Sequence, residues 1–182
     1  MGSEMCIRDS TYSFPVGGAS VIVGDSTDLS VAFTGACTYS SFTDMTPDDC
    51  GTGNSMGAGG KGVTAAMSYA FDSGLSLAGG VTSGQSEILG DSADAIGLNA
   101  AYSTDSYGVA VAYVSDDMGK GTDPKTFWGL QGYYTFDLAS LSVGFETSDD
   151  GSTEKSGYFV GCLLYTSPSP RDLSTSRMPS SA

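Results

Sequence analysis

The sequence predicts an all-β fold, an antiparallel up-and-down meander, and three observations support this prediction. Most of the chain from Gly57 onwards alternates large and small side chains with a period of two, which is the period of a β-strand. Short turns of Gly, Asp and Ser alternate along the chain with longer, Asp-rich connections. No segment shows a helical period, and no run of about eighteen apolar residues is present to form a transmembrane helix.

Five alternating segments carry the clearest strand signal. In the first of them, Met67 and Tyr69 belong to a face of large apolar residues, whereas Ala66 and Ser68 belong to a face of small residues. The same division recurs in the other segments. The five segments cover residues 62–71, 96–103, 107–113, 128–136 and 141–146.

Connections of two lengths join the strands. The short turns are 72–74, 104–106 and 137–140, and the longer connections are 83–93, 115–124 and 148–154, with 35–56 the longest of all. Because short and long connections alternate, we expect the short turns at one end of the sheet and the long connections at the other.

The N-terminal region allows two interpretations. Residues 11–16 and 19–24 could form a hairpin, with residues 29–34 as the following strand. A separate third strand here would break the strict alternation of short and long connections. A β-bulge at Gly24 and Asp25, merging the last two segments into one bent strand, would restore it.

The composition of the two faces predicts that the meander is a fragment of a transmembrane β-barrel. A water-soluble antiparallel sheet exposes a polar, charged face, but the second face here is mainly Gly, Ala, Ser and Thr. A barrel in a bilayer turns its large apolar side chains towards lipid, and its closure satisfies the backbone. A β-sandwich is the alternative, and it would need polar outward faces. Aromatic residues that lie near connections, where they suit the lipid headgroup level, are Tyr69, Phe71, Tyr102, Tyr107, Tyr113, Tyr134, Phe136 and Tyr158.

The two ends of the chain have a different expected origin. Codons for residues 5–9 can be written as the reverse complement, one frame over, of codons for residues 163–167. Both ends resemble translated adapters of a sequencing library, and such segments are excluded from fold reasoning. We therefore expect residues 1–10 and 162–182 to be adapter artefacts and residues 11–161 to be the partial barrel.

Composition and charge exclude several classes of function. The formal net charge is −14 and the chain has no His. No basic surface is available for nucleic acid, and the commonest general base and neutral metal ligand is missing. We expect no enzyme activity, no catalytic residues, no metal and no cofactor. Acidic loop residues could attract cations, although a solvated acidic loop is the preferred interpretation of Asp44, Asp48 and Asp49 and of Asp116, Asp117 and Asp123.

Five residues are candidates for special roles. Cys37 and Cys50 flank a polar loop, and their spacing favours a disulfide over two free thiols or a zinc site. In the chain-entropy model such a crosslink stabilises the fold by about 3 kcal/mol. Glu146 is the one acidic residue on a small-residue strand face, so we take it as a candidate pore-lining residue. Lys61 and Lys125, at strand starts, are weaker candidates for the same role.

Several stretches resemble the outer-membrane porins of marine cyanobacteria, which carry an S-layer-homology domain ahead of a barrel related to carbohydrate-selective and iron-uptake porins. The stretches are residues 12–17, 24–28, 36–37 with 48–51, 97–102 and 107–109. The resemblance implies an outer-membrane location and passive diffusion of small solutes, sugars or inorganic ions including iron. The expected partners are outer-membrane lipid and these solutes, and the sequence is also compatible with a homo-oligomer. The S-layer-homology domain expected upstream is absent from this sequence.

A secreted or surface-layer protein with a structural or adhesive role is the alternative function. A solenoid of this kind would show a fixed repeat, but the spacing of the segments varies along the chain. An enzyme embedded in a barrel rim is disfavoured because the chain lacks His.

Overall fold

The computed structural model describes residues 10–38, 50, 52–56, 60–84, 94–117 and 123–165. These residues form nine antiparallel strands in one sheet, and every strand pairs with its neighbours in sequence. The predicted all-β up-and-down meander is therefore confirmed. The strands are β1 Ser10–Val16, β2 Ala19–Thr27, β3 Gly62–Ala70, β4 Leu75–Ser83, β5 Asp94–Ser103, β6 Tyr107–Asp116, β7 Lys125–Thr135, β8 Ala139–Asp149 and β9 Glu154–Leu164.

The sheet is open along its two edge strands. In the order of the described strands, β1 lies at one edge and β9 at the other. An open sheet of this kind is what part of a barrel would form. The helical content is small: a 3-10 helix covers Leu29–Ala32, and a four-residue helix, α1, covers Gly53–Met56. None of the helices in the described part of the chain is long and apolar enough to cross a membrane.

The N-terminal hairpin forms as predicted. β1 and β2 pair through a two-residue turn in which Gly17 and Gly18 have φ angles of 57° and 90°. A left-handed conformation at both turn residues matches the twist of the flanking strands, and glycine adopts it without a steric penalty. A register irregularity also lies between Gly24 and Thr27, next to the predicted bulge position.

The predicted strand over residues 29–34 is wrong. Asp28 caps a 3-10 helix instead, because its carboxylate accepts a hydrogen bond of 2.9 Å from the backbone amide of Ser30. The chain therefore turns away from the sheet plane directly after β2. The bulge does not merge the two segments into one strand, and β2 pairs directly with β3.

The two faces of the central strands differ in residue size and in exposure. Leu98 is 60% exposed, whereas the next residue, Asn99, is only 4% exposed. We call the exposed side the outer face; its residues on β5 to β8 include Ile96, Leu98, Val109, Val111, Trp128, Leu130, Val143 and Phe145. We call the opposite side the inner face; it includes Gly97, Asn99, Ala110, Ala112, Gly129, Gln131, Ser142, Gly144 and Glu146.

Cross-strand pairing extends the outer face as a continuous apolar surface. Leu130 lies opposite Val111 on β6 and opposite Phe145 on β8. Phe145 in turn lies opposite Tyr158 on β9. Directly opposed apolar residues are the contacts that stabilise neighbouring strands.

The connection from β2 to β3 covers the inner face. We call residues 28–38, 50 and 52–56 the inner segment. Leu29, which is fully buried, packs against Ala95, Val114 and Phe127 of the sheet. Two further clusters place Ala32 and Ala36 against alanines of β3, β4, β5 and β6. The hydrophobic core thus lies between the inner segment and the sheet.

The predicted domain boundary near residue 161 falls inside a strand. β9 continues through Cys162, Leu163 and Leu164, which pair with the start of β8. The proposed adapter origin of residues 162–182 stays a prediction. Residues 1–9 and 166–182 lie outside the described residues.

Candidate functional site

Polar side chains of the inner face bind the backbone of the inner segment. The amide of Thr34 donates to Oδ1 of Asn99 at 2.8 Å, and the amide of Ala36 donates to Oε1 of Gln131, also at 2.8 Å. The amide of Thr38 donates to Oγ of Ser142 at 3.1 Å. Alternate residues of the inner segment therefore bind β5, β7 and β8 in turn, as expected for an extended chain that crosses the strands.

Asn99 binds both backbone groups of one residue. Its Oδ1 accepts from the Thr34 amide, and its Nδ2 donates to the Thr34 carbonyl oxygen at 3.2 Å. Nδ2 also donates to the carbonyl oxygen of Val111 at 3.0 Å. The primary amide of Asn has an NH2 group that donates two hydrogen bonds and a carbonyl oxygen that accepts two. It can therefore pair with the N–H and C=O groups of one residue, as a neighbouring backbone strand does.

Gln131 and Glu146 bind the second half of the inner segment. Nε2 of Gln131 donates to the hydroxyl of Thr52, while Oε2 of Glu146 accepts from the amide of Ser55 at 3.0 Å. Glu146 is 8% exposed. The structure thus places the sequence candidate on the inner face, as expected, but beneath α1. Its role as a pore-lining residue stays a prediction.

Glycines of the inner face make room for the inner segment. A Cβ atom at Gly97 would lie 2.8 Å from side-chain carbons of Leu29 and Phe33. A Cβ at Gly129 would collide with Ser55, and one at Gly144 would collide with the carbonyl oxygen of Cys50. At Gly97 and Gly129 a larger residue would force side chains of the inner segment to shift, and at Gly144 it would collide with the segment's backbone.

A disulfide joins Cys37 to Cys50, the pairing that the sequence predicts, with the Cα atoms 6.0 Å apart. Cys37 lies between the two residues whose amides bind Gln131 and Ser142. Cys50 is fully buried and contacts the sheet at Gly144. The crosslink therefore joins the extended half of the inner segment to the half that contains α1. Cys162 is a free, exposed thiol.

Aromatic pairs are concentrated at the short-turn end of the sheet. The ring centroids of Tyr69 and Phe71 are 4.5 Å apart, and those of Tyr134 and Phe136 are 4.7 Å apart. The looser pair is Tyr102 with Tyr107, at 6.1 Å. Tyr113 and Trp128 form a pair of 4.5 Å nearer the long-connection end. Aromatic side chains thus lie close to the connections, where the sequence places them.

Several charged groups lie at the long-connection end. Asp150 accepts hydrogen bonds from the hydroxyl of Ser152 and from the amides of Thr153 and Ser152, and these bonds lower the pKa of its carboxyl group. Lys125 begins β7 opposite Asp116, and its Nζ lies 4.9 Å from the centre of the buried Phe127 ring. Lys61 is exposed just before β3. Asp44, Asp48 and Asp49 lie outside the described residues.

Sequence reasoning did not identify Asn99, Gln131 and Ser142 as functional positions. A signal was present, because Asn99 and Gln131 are carboxamides among Gly and Ala on the small-residue face. Their partners are 65 and 95 residues away along the chain, so no local pattern could reveal them. Chemically, this set of side chains binds polypeptide backbone. Within the residues described, no group of three or more His, Cys, Asp or Glu is placed to hold a metal ion.

No protein-family model matches this chain, and no curated protein sequence matches it either.

Proposed function

We propose that this chain forms part of the wall of an outer-membrane porin-like channel, through which small hydrophilic solutes such as sugars or inorganic ions diffuse passively. The observation that carries the proposal is the arrangement of the two faces, which is the reverse of that in a water-soluble antiparallel sheet. Large apolar side chains are exposed on the outer face, and polar or small residues are buried on the inner face.

The size of the exposed apolar surface supports a lipid environment. Leu98 of β5, Val109 of β6 and Leu130 of β7 are each more than half exposed. Soluble monomers rarely expose contiguous apolar patches larger than a few hundred Å². In hydrocarbon the same side chains need no cover, and strands β2 to β8 are each paired on both sides within the sheet.

The aromatic pairs support an interfacial position for the short-turn end. Tyr and Trp carry a polar group on an apolar ring and are enriched where membrane meets water. Pairs such as Tyr134 with Phe136 sit next to a turn that contains Asp137. We therefore propose outer-membrane lipid as the partner of the outer face.

The charge of the chain supports a preference for cations. The formal net charge is −14, and carboxylates such as Asp149, Asp150 and Glu154 lie at the long-connection end. A mouth lined by one sign of charge raises the local concentration of counter-ions. The proposed channel should therefore conduct cations better than anions.

The alternative is a secreted or surface-layer β-protein with a structural or adhesive role. In that protein the outer face would have to be covered by a second sheet or by another copy of the chain. Both proposals must account for the exposed outer face. They differ in what surrounds that face: lipid in the channel, and protein in the secreted alternative.

Planar-bilayer recording of the full chain, refolded in detergent, tests the proposed function. We expect discrete conductance steps, a heat-modifiable band on electrophoresis and a cation-selective reversal potential in a salt gradient. A water-soluble protein without conductance would favour the secreted alternative. An anion-selective reversal potential would contradict the charge argument while leaving the channel in place.

A further inference from the structure

The inner segment occupies the space that the inner face would otherwise present to a solute. Its near side is buried against the sheet through Leu29, Ala32 and Ala36. Its far side exposes other residues: Val31 is 44% exposed, and Thr34 and Gly35 are exposed as well. Solutes that pass along the inner side of this sheet therefore meet the inner segment first.

Polar side chains of the inner face form hydrogen bonds with the backbone of the inner segment. A segment that lies across a sheet cannot join the strand ladder, because the ladder bonds run within the sheet. Its buried amides must therefore find side-chain partners. Asn99, Gln131 and Glu146 accept three of these amides at distances between 2.8 and 3.0 Å.

We propose that Asn99, Gln131 and Glu146 are positioning residues that hold the inner segment in the solute path, and that the Cys37–Cys50 disulfide keeps its two halves there. This inference rests on the proposed channel function. The inner segment, rather than the inner face of the sheet, then sets the width and the chemistry of the path. Glu146 acts through the segment and does not meet the solute.

The glycine contacts allow the segment to be displaced by one small change. Gly144 of β8 leaves no room for a Cβ, because that atom would collide with the carbonyl oxygen of Cys50. Backbone cannot rotate aside as a flexible side chain can, so the segment itself must move. Gly157 of β9 is a matched control, because a Cβ there meets nothing within 4 Å.

The test compares Gly144→Ala with Gly157→Ala in the refolded full chain. Single-channel conductance is recorded in planar bilayers, and amide hydrogen exchange is measured in detergent at Thr34, Ala36, Thr38 and Ser55. In Gly144→Ala we expect higher conductance and a fall in exchange protection of about fivefold or more, the equivalent of losing one net hydrogen bond. Gly157→Ala should match the original chain in both measurements.

A second variant tests the same inference if Gly144→Ala does not fold. The double change Cys37→Ser and Cys50→Ser alters no strand residue, and it removes the covalent link between the two halves of the inner segment. We expect this variant also to raise conductance while the heat-modifiable band is kept.

The outcomes separate this inference from the proposed function. If the original chain conducts and both variants keep its conductance, the inner segment does not set the path and the inference is overturned. Unchanged exchange protection in Gly144→Ala would equally overturn it. If no form of the chain conducts, the channel proposal itself fails, and the proposed role of the segment in a solute path fails with it.

Discussion

The outer and inner faces of strands β5 to β8 are covered in opposite ways. On the outer face, Trp128 and Leu130 are 53% and 55% exposed, and no part of the described chain covers them. On the inner face, Gln131 is 3% exposed because the inner segment lies over it. Residues next to each other in one strand therefore meet entirely different surroundings.

This difference shows what each face is complementary to. The inner face meets its own chain and supplies hydrogen-bond partners and space, through Asn99 and Gly129 for example. The outer face offers only apolar surface, which matches a hydrocarbon solvent and not water. A charged residue introduced on the outer face should consequently change the free energy of unfolding by a different amount from one introduced on the inner face.

The largest expected effect comes from a charge on the outer face. In lipid vesicles, Leu130→Arg should lower the free energy of unfolding by about 2–4 kcal/mol, the cost of Arg at the bilayer midplane of a barrel. Denaturant titration in vesicles measures this cost. Leu138→Arg is the control: Leu138 is 75% exposed in the turn before β8, and at the interface the cost is about 0–1 kcal/mol.

An equal loss in the free energy of unfolding for Leu130→Arg and Leu138→Arg would contradict a lipid environment for the outer face. An exposed side chain in a water-soluble protein tolerates substitution within about 0.5 kcal/mol. Two small effects would therefore mean that water, not lipid, surrounds the outer face.

An intermediate effect is expected on the inner face. Gln131→Leu keeps most of the side-chain volume but removes the carboxamide oxygen that accepts a hydrogen bond from the Ala36 amide. Leaving a buried group unsatisfied costs about 1–3 kcal/mol. The same denaturant titration measures it, with Ser156→Ala on the exposed part of β9 as the control. A cost no larger than that of the control would show that the inner segment is not held by this residue.

The smallest effect is spectroscopic and concerns the single tryptophan, Trp128. Its side chain is on the outer face and pairs with Tyr113. In vesicles we expect quenching of its fluorescence by brominated lipid and little quenching by aqueous iodide. Free tryptophan amide in the same buffer serves as the control. Stronger quenching by iodide would place the outer face in water.

Much of the fold could be predicted because strand periodicity is local. The alternation around Tyr69, the turn at 104–106 and the small-residue face can all be read from neighbouring residues. The strand expected over 29–34 was wrong because Asp28 starts a 3-10 helix there. An apolar run of that length suits either structure, and a capping side chain decided between them.

The sequence by itself determined the strand order, the division of each strand into two faces and the pairing of Cys37 with Cys50, because these depend on period, spacing and residue type. Only the tertiary structure decided where the β2 to β3 connection lies and which side chains hold it. Those contacts join residues up to 104 positions apart, as between Thr38 and Ser142. Partners this distant are chosen by the space and the unpaired polar groups that the assembled sheet offers, and neither exists until the strands have come together.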